Sequence, residues 1–398
     1  MDNPFQYGRE LGISELVDRY DELNQVTATI QQGGKLFLIG PRRYGKTSIL
    51  KVAEDKLVAD GAVVLRYDAE SYPSLDLLVS AIVSGVAKTL KGGIERAGEQ
   101  LQKFFAKLRP ELSFSVTDQE WSVKLGVREE HLGNHLRHLN LLIEALDGLE
   151  RLARSQSDRQ PVGLIIDEFQ KVIELGGQSA ESQIRAAIQR HKRTGYVFAG
   201  SKTHLLTAMT MDAARPFYRL GSLCFLGPVP RQDFIVFLRE KFLKSGFSLV
   251  SKDDNESLSR ILDLAEDVPY NVQMLAYACW EQLRTGGASK GKILNGTVVE
   301  QSLDRLVRQY DPFYTQLWND LTSIQQKVLL AVIAERGANL QSMKVVRMVG
   351  RGTSTTQRSI GLLIDHAILR EEEHRGATRV RFEDPFFSQW IGRFTVRL

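Results

Sequence analysis

Residues 40 to 47 read GPRRYGKT and fill every fixed position of the pattern G-x-x-x-x-G-K-[ST]. Residue types at this spacing do one kind of chemistry, the holding of phosphates. Gly40 and Gly45 let the backbone wrap around an anion, with Pro41, Arg42, Arg43 and Tyr44 as the loop between them. Lys46 is expected to reach the β- and γ-phosphates and Thr47 to offer its hydroxyl to magnesium, with Ser48 completing the nucleotide-binding set. Hydrolysis needs a carboxylate near the metal and usually a second one to polarise water. The run VGLIIDE supplies both: Asp167 is assigned to magnesium through water, and Glu168 to the attacking water.

Two further places carry candidate chemistry. Ser201 follows an apolar run, where a polar side chain can contact the γ-phosphate or the water; Thr203 is the second choice. The alternative for both is a cap on the following helix. Arg215 and Arg219 flank an aromatic pair in ARPFYR. An arginine given to the γ-phosphate, often by a neighbouring subunit, is worth roughly 10³–10⁵ in rate. The alternative is an arginine lying along the surface.

These residues need elements to hold them. Lys35 to Ile39 reads as a buried strand and Ser48 to Leu57 as a helix, so the glycine-rich loop sits between a strand and a helix N-terminus. Ala62 to Asp68 and Tyr196 to Ala199 read as further strands, and Val162 to Asp167 as a central one with apolar residues on both faces. Asp167 then falls at a strand's carboxyl end, where open α/β sheets bind ligands. Leu75 to Leu90 and Leu139 to Ala153 read as amphipathic helices, Lys91 to Pro110 as a charged helical stretch, and Leu112 to Val127 as a hairpin. Alternating strands and helices predict a parallel sheet covered on both faces.

A turn cluster at Leu226 to Pro230 marks a boundary. Beyond it, Arg231 to Lys244, Asp254 to Ala265 and Val272 to Leu283 read as helices, with a glycine-rich loop from Gly286 to Gly296. From about Asp311 the pattern changes again. Ser323 to Glu335, Met343 to Val349 and Thr353 to His366 read as helices, and Ile368 to Phe382 as two strands. That order predicts a winged helix-turn-helix, with Thr353 to Leu363 as recognition helix. Ser354, Thr355, Thr356, Gln357 and Arg358 could there meet phosphates or bases. Residues 321 to 398 hold twelve Lys/Arg against seven Asp/Glu, a surplus of five, although Glu371, Glu372 and Glu373 on the wing would repel DNA. The expected fold class is α/β: a P-loop NTPase parallel-sheet domain over 1–227, a small helical domain over 228–310 and a winged helix-turn-helix over 311–398.

Composition narrows the class further. The 398 residues favour two or three domains, and 43% apolar content suffices for real cores. No apolar run is long enough to span a membrane, and MDNPFQYGRE does not read as a secretory signal. Cys224 and Cys279 read as buried free thiols, which points to the cytoplasm. A net charge of +4 is too small to argue for nucleic acid by itself.

The order of features resembles the archaeal-type ATPases, the MNS clade of the STAND class within the AAA+ group. The resemblance covers nearly the whole chain. It rests on Asn3-Pro4-Phe5 and Gly8-Arg9-Glu10, on GPRRYGKTS, on LIIDEF (164 to 169), on Pro216-Phe217-Tyr218, on Asp267-Val268-Pro269-Tyr270 and on FEDPFFSQW (382 to 390). Arg219 stands where that family often has Gly-Arg, and Asp267 replaces its usual lid glycine, which puts the turn geometry in question. The resemblance implies ATP or ADP with Mg²⁺ as ligands. It also implies that Phe5, Gly8, Arg9 and Pro269 close over the adenine, with a purely structural clamp as the alternative for Phe5 and Arg9. The leading expectation is an ATP-hydrolysing switch whose nucleotide state controls the winged helix and a protein partner or self-assembly. A second is an ATPase that binds double-stranded DNA, similar to origin-recognition initiators or transposition regulators. A third is a nucleotide-bound scaffold docking through Trp318, Phe386, Phe387 and Trp390, with packing of the terminal helix on its own domain as the stronger alternative.

Overall fold

Short apolar runs, each stopped by a glycine or a charge, build the sheet that carries the phosphate loop. In chain order the strands of this part are β1 (Lys35–Ile39), β2 (Val63–Asp68), β3 (Leu112–Thr117), β4 (Glu120–Leu125), β5 (Val162–Asp167), β6 (Thr194–Gly200) and β7 (Ser222–Phe225). The computed structural model describes residues 2–93, 112–117, 120–125, 134–156, 160–201, 203–249, 255–285, 292–374 and 377–394. Most of the charged stretch expected between Lys91 and Pro110 lies outside the described residues.

Five strands form one sheet in the order β2-β5-β6-β1-β7, and every pairing is parallel. β5 and β6 are buried along their whole length, as runs covered on both faces must be. The register sets Ile39 beside Gly200 and Ile166 beside Phe198, so the carboxyl ends of β1, β6 and β5 lie side by side. Phe37, Phe169, Phe198 and Phe217 pack together under those ends, with neighbouring rings 4.4–6.1 Å apart. β3 and β4 pair as the expected hairpin, from Leu112 opposite Leu125 to Thr117 opposite Glu120.

Several elements went unread in the sequence, among them helices Tyr20–Gln31, Gln170–Ile188 and Gly296–Gln309 and strand β7. Helix Tyr20–Gln31 buries Leu23, Val26 and Ile30 at helical spacing. β7 is only four residues long and was too short to declare itself.

Contacts divide the chain into two units, Glu10–Gly227 and Met1–Arg9 with Pro228–Leu398. The second contains helices Arg231–Lys244, Glu256–Leu264, Pro269–Thr285, Gly296–Gln309 and Asp311–Asn319, and the short parallel pair β8 (Ser248–Leu249) and β9 (Ile293–Leu294). It continues with helices Ser323–Ala334, Met343–Val349 and Thr353–Asp365, the antiparallel hairpin β10 (Leu369–His374) and β11 (Ala377–Phe382), and helix Pro385–Phe394. Thr322 and Gln325 form a reciprocal capping box, and Ser342 caps the next helix, which fixes where two of these helices begin.

Packing in this unit decides one open alternative and corrects one expectation. Phe386, Phe387 and Trp390 are buried, and the Trp390 indole donates to Asp311 at 2.7 Å, so they form a core and not a docking face. Thr356 is also buried, and its hydroxyl donates to the Gly352 carbonyl, so it is not available to a nucleic acid. Cys224 and Cys279 are buried and free, and burial pushes their thiols up to about 11 and about 12. Among the described residues no helix is long and apolar enough to cross a membrane.

Candidate active site

The loop from Gly40 to Gly45 leaves β1 and enters helix Lys46–Ala59. Gly45 caps that helix at φ +92°, a left-handed angle that glycine adopts without the Cβ clash other residues meet. Lys46 is buried, and its ammonium donates to the carbonyls of Gly40 and Pro41 at 2.9 Å each, so the cation lies within the loop. The first N–H groups of a helix have no partner inside it, which makes this turn an anion seat. Arg42 instead makes an exposed ion pair with Glu70 at 2.9 Å. The Ser48 hydroxyl accepts the Leu11 N–H at 3.0 Å, which ties its side chain to the segment before the first long helix.

Strand order brings the carboxylates to this loop. Asp167, 1% exposed at the end of β5, accepts from the Thr47 hydroxyl at 2.7 Å through Oδ2 and from the Glu168 N–H at 2.9 Å through Oδ1. Burial raises the Asp167 pKa, with the Thr47 hydroxyl acting against it. A hydroxyl and a carboxylate in contact suit a hard divalent cation that takes oxygen ligands. Among the described residues no group of three His, Cys, Asp or Glu converges on a metal, so such a cation would rely on phosphate oxygens as well.

Glu168 follows at φ +48°, left-handed and costly for a bulky side chain. Its Oε2 accepts from the Ser201 N–H at 3.1 Å, from the Ser201 hydroxyl at 2.8 Å and from the Gln170 amide. Burial works to raise its pKa, but the Lys46 charge and the Gln170 and Ser201 hydrogen bonds outweigh it and hold it below the usual value. Ser201 therefore meets the Glu168 carboxylate, as the pairing of β6 with β5 allows. Gln170 was not singled out in the sequence. Nothing in the motif LIIDEFQ says that its side chain turns back toward Glu168.

This sheet can be compared with solved structures. The chain is similar to the Walker-type ATPase PABY2304 of Pyrococcus abyssi, at 14% identity and a TM-score of 0.57, over 98% of this chain and 99% of that one. It is also similar to the ORC2 protein of Aeropyrum pernix, solved in ADPNP-ADP complexes, at 13% identity and a TM-score of 0.53, over 98% and 95%. The chain has the α/β P-loop NTPase fold. At these identities the likeness is one of fold. No protein-family model matches the sequence, and no curated protein matches it.

The two candidate arginines have different surroundings. Arg215 lies against Glu181, which is 0% exposed, with Nη2 2.6 Å and Nε 3.1 Å from Oε2. A guanidinium committed to a buried carboxylate is not free for a phosphate, which corrects the expectation for Arg215. Arg185 donates to the carbonyls of Pro216 and Tyr218 and fixes the same loop from below. Arg219 is exposed, sits at φ +51°, and lies 5.1 Å from the ring of Tyr218.

The residues expected at the adenine belong to the second unit. Phe5 is 1% exposed, 4.7 Å from the Phe242 ring and 6.4 Å from Phe237, so its faces are taken by packing and not by a base. Gly8 is left-handed at φ +74°, Arg9 donates to Gln6 at 2.9 Å, and Pro269 starts its helix. Asp267 does adopt the left-handed angle of the glycine it replaces, φ +57°, directly after Glu266 at φ +52°. Its carboxylate meets Arg231 at 3.2 Å.

Proposed function

We propose that this chain binds ATP with magnesium and hydrolyses it as an AAA+/STAND-type switch. The observation that carries the reading is the convergence at the ends of three strands: Lys46 inside the loop, Thr47 against Asp167, and Glu168 anchored on Ser201. Lys46 and the N–H groups opening its helix bind the β- and γ-phosphates. Thr47 and Asp167 hold magnesium, which supplies neutralisation of phosphate charge when bound. Glu168 polarises the attacking water. Arg219 is the arginine available to a second copy of the chain, and Arg215 secures its loop. Gly8, Arg9 and Pro269 at the adenine, and control of the C-terminal helices and hairpin by the nucleotide, rest on the family resemblance.

Glu168→Gln should bind ATP and fail to hydrolyse it. A protein that binds no nucleotide sinks the proposal; a Glu168→Gln protein with full hydrolysis removes Glu168 from it. If Arg219 completes a neighbour's site, hydrolysis per protomer should climb with protein concentration, and that climb should vanish in Arg219→Ala.

One observation favours a second reading, binding of double-stranded DNA. Helix Thr353–Asp365 exposes Ser354, Thr355, Gln357 and Arg358, and Glu372 on the hairpin is paired with Arg381 at 3.3 Å, so its charge is offset. A DNA binder should lose affinity with salt at a log–log slope of about −0.9 per phosphate contact, and a flat dependence would end this reading.

A further inference from the structure

The geometry points to Gln170 as a positioning residue of the hydrolytic step: its side-chain amide holds one oxygen of Glu168, so that the other is left for the attacking water. This rests on the proposed role of Glu168.

Gln170 opens helix Gln170–Ile188 and is 2% exposed. Its two polar ends are treated unequally. Nε2 donates to Glu168 Oε2, whereas Oε1 is buried with no hydrogen-bond partner. Oε1 lies over the end of β6, where a Cβ on Gly200 would come within 2.1 Å of it, so the amide fits there because that residue is glycine. Exchanging the two ends would put a carbonyl oxygen against a carboxylate oxygen, which fixes the orientation. An unpaired buried carbonyl loses the hydrogen bonds that water gave it, and an apolar side chain of this size would avoid that loss. The contact that offsets the cost is the one to Glu168, and a buried group left unsatisfied asks for such an explanation.

Glu168 also needs holding. Its backbone sits in a sparsely populated conformation, the kind of strain that surrounding structure must over-determine. Asp167 and Ser201 grip it from β5 and the end of β6, through the Glu168 N–H and the Glu168 carboxylate respectively. Gln170 is the third grip and comes from the helix that follows. With Oε2 committed to donors from two elements, the carboxylate is set in one rotamer before substrate arrives, which is what a positioned base requires.

The test uses the full chain with Gln170→Met, which keeps the volume and removes the donor, and Gln170→Leu as a second variant. Steady-state hydrolysis, affinity for a slowly hydrolysed ATP analogue and Tm are measured for each. We expect kcat to fall about tenfold or more, the scale of one lost charge-assisted hydrogen bond, with KM, analogue affinity and Tm held. A kcat that is unchanged or rises overturns the inference. So does a loss of affinity and Tm in step with kcat, which would mark a structural role. Glu168→Gln separates the two layers. If it keeps hydrolysis, the reading of Glu168 fails; if it loses hydrolysis while both Gln170 variants stay at the wild-type rate, only the positioning role fails.

Discussion

Replacing Arg215 by alanine should unfold this protein more than it disarms it. Glu181 is fully buried and Arg215 is 20% exposed, and the two are joined through two guanidinium nitrogens. Alanine at 215 leaves a carboxylate in the interior with its counter-charge gone. Breaking such a pair by removing one partner costs about 3–5 kcal/mol, because the surviving charge stays desolvated. For a unit of 150–250 residues, each kcal/mol moves Tm by roughly 2–4 °C, so the loss should be on the order of 6–20 °C. The double variant Glu181→Leu/Arg215→Ala removes both charges and should recover most of it. The assay is thermal unfolding followed by intrinsic fluorescence, with Arg219→Ala as the control. Arg219 is exposed and should stay within about 0.5 kcal/mol of wild type. An Arg215→Ala protein with an unchanged Tm would refute the reasoning. Glu181 would then tolerate burial alone, and Arg215 would again be a candidate for the γ-phosphate.

Three further outcomes follow from the site and its supports. Lys46→Ala should weaken ATP and ADP binding by about tenfold or more, the worth of a charge-assisted phosphate contact, as measured by calorimetric titration; unchanged affinity would place the phosphates elsewhere. Thr47→Val should remove the magnesium dependence of nucleotide binding while leaving metal-free binding in place, which a magnesium titration with a fluorescent nucleotide reads directly. Glu150→Gln should flatten the acid side of the stability profile. Burial acts to raise the pKa of Glu150, but hydrogen bonds from Lys192 N–H, Thr194 N–H, Arg154 and Arg193 N–H pull it from 4.5 to about 2. Its folded pKa lies below its unfolded one, so its contribution is full above pH 4.5 and is lost as pH falls toward about 2. The variant should therefore be about 3 kcal/mol less stable at neutral pH, with the gap closing in acid; parallel curves from urea unfolding would contradict this.

The parts of the site that were legible in the sequence are those whose geometry is local. The phosphate loop needs one strand, eight residues and one helix start, and all of them lie between Lys35 and Leu57. The position of Asp167 and Glu168 was legible because a short apolar run ended by charges reads as a buried strand, and the residues that end it fall at its carboxyl end. The misplacements share a cause. Phe5 and Arg215 have the right residue types for a nucleotide site, but type does not reveal which neighbour a side chain meets. Phe5 meets Phe242, and Arg215 meets Glu181, 34 residues back along the chain.

Gln170 shows the same divide within one motif. Its presence two residues after Glu168 is a fact of sequence, as is the Gly200-Ser201 pair. That Gln170, Ser201 and Glu168 form one hydrogen-bonded group depends on β6 lying between β5 and β1. Periodicity and turn chemistry act over a few residues and are written in the chain directly. Strand order arises from pairing all five strands at once, with β5 and β6 wholly buried and β2 and β7 less so, and the partners that hold Glu168 in place were decided only when the sheet was assembled.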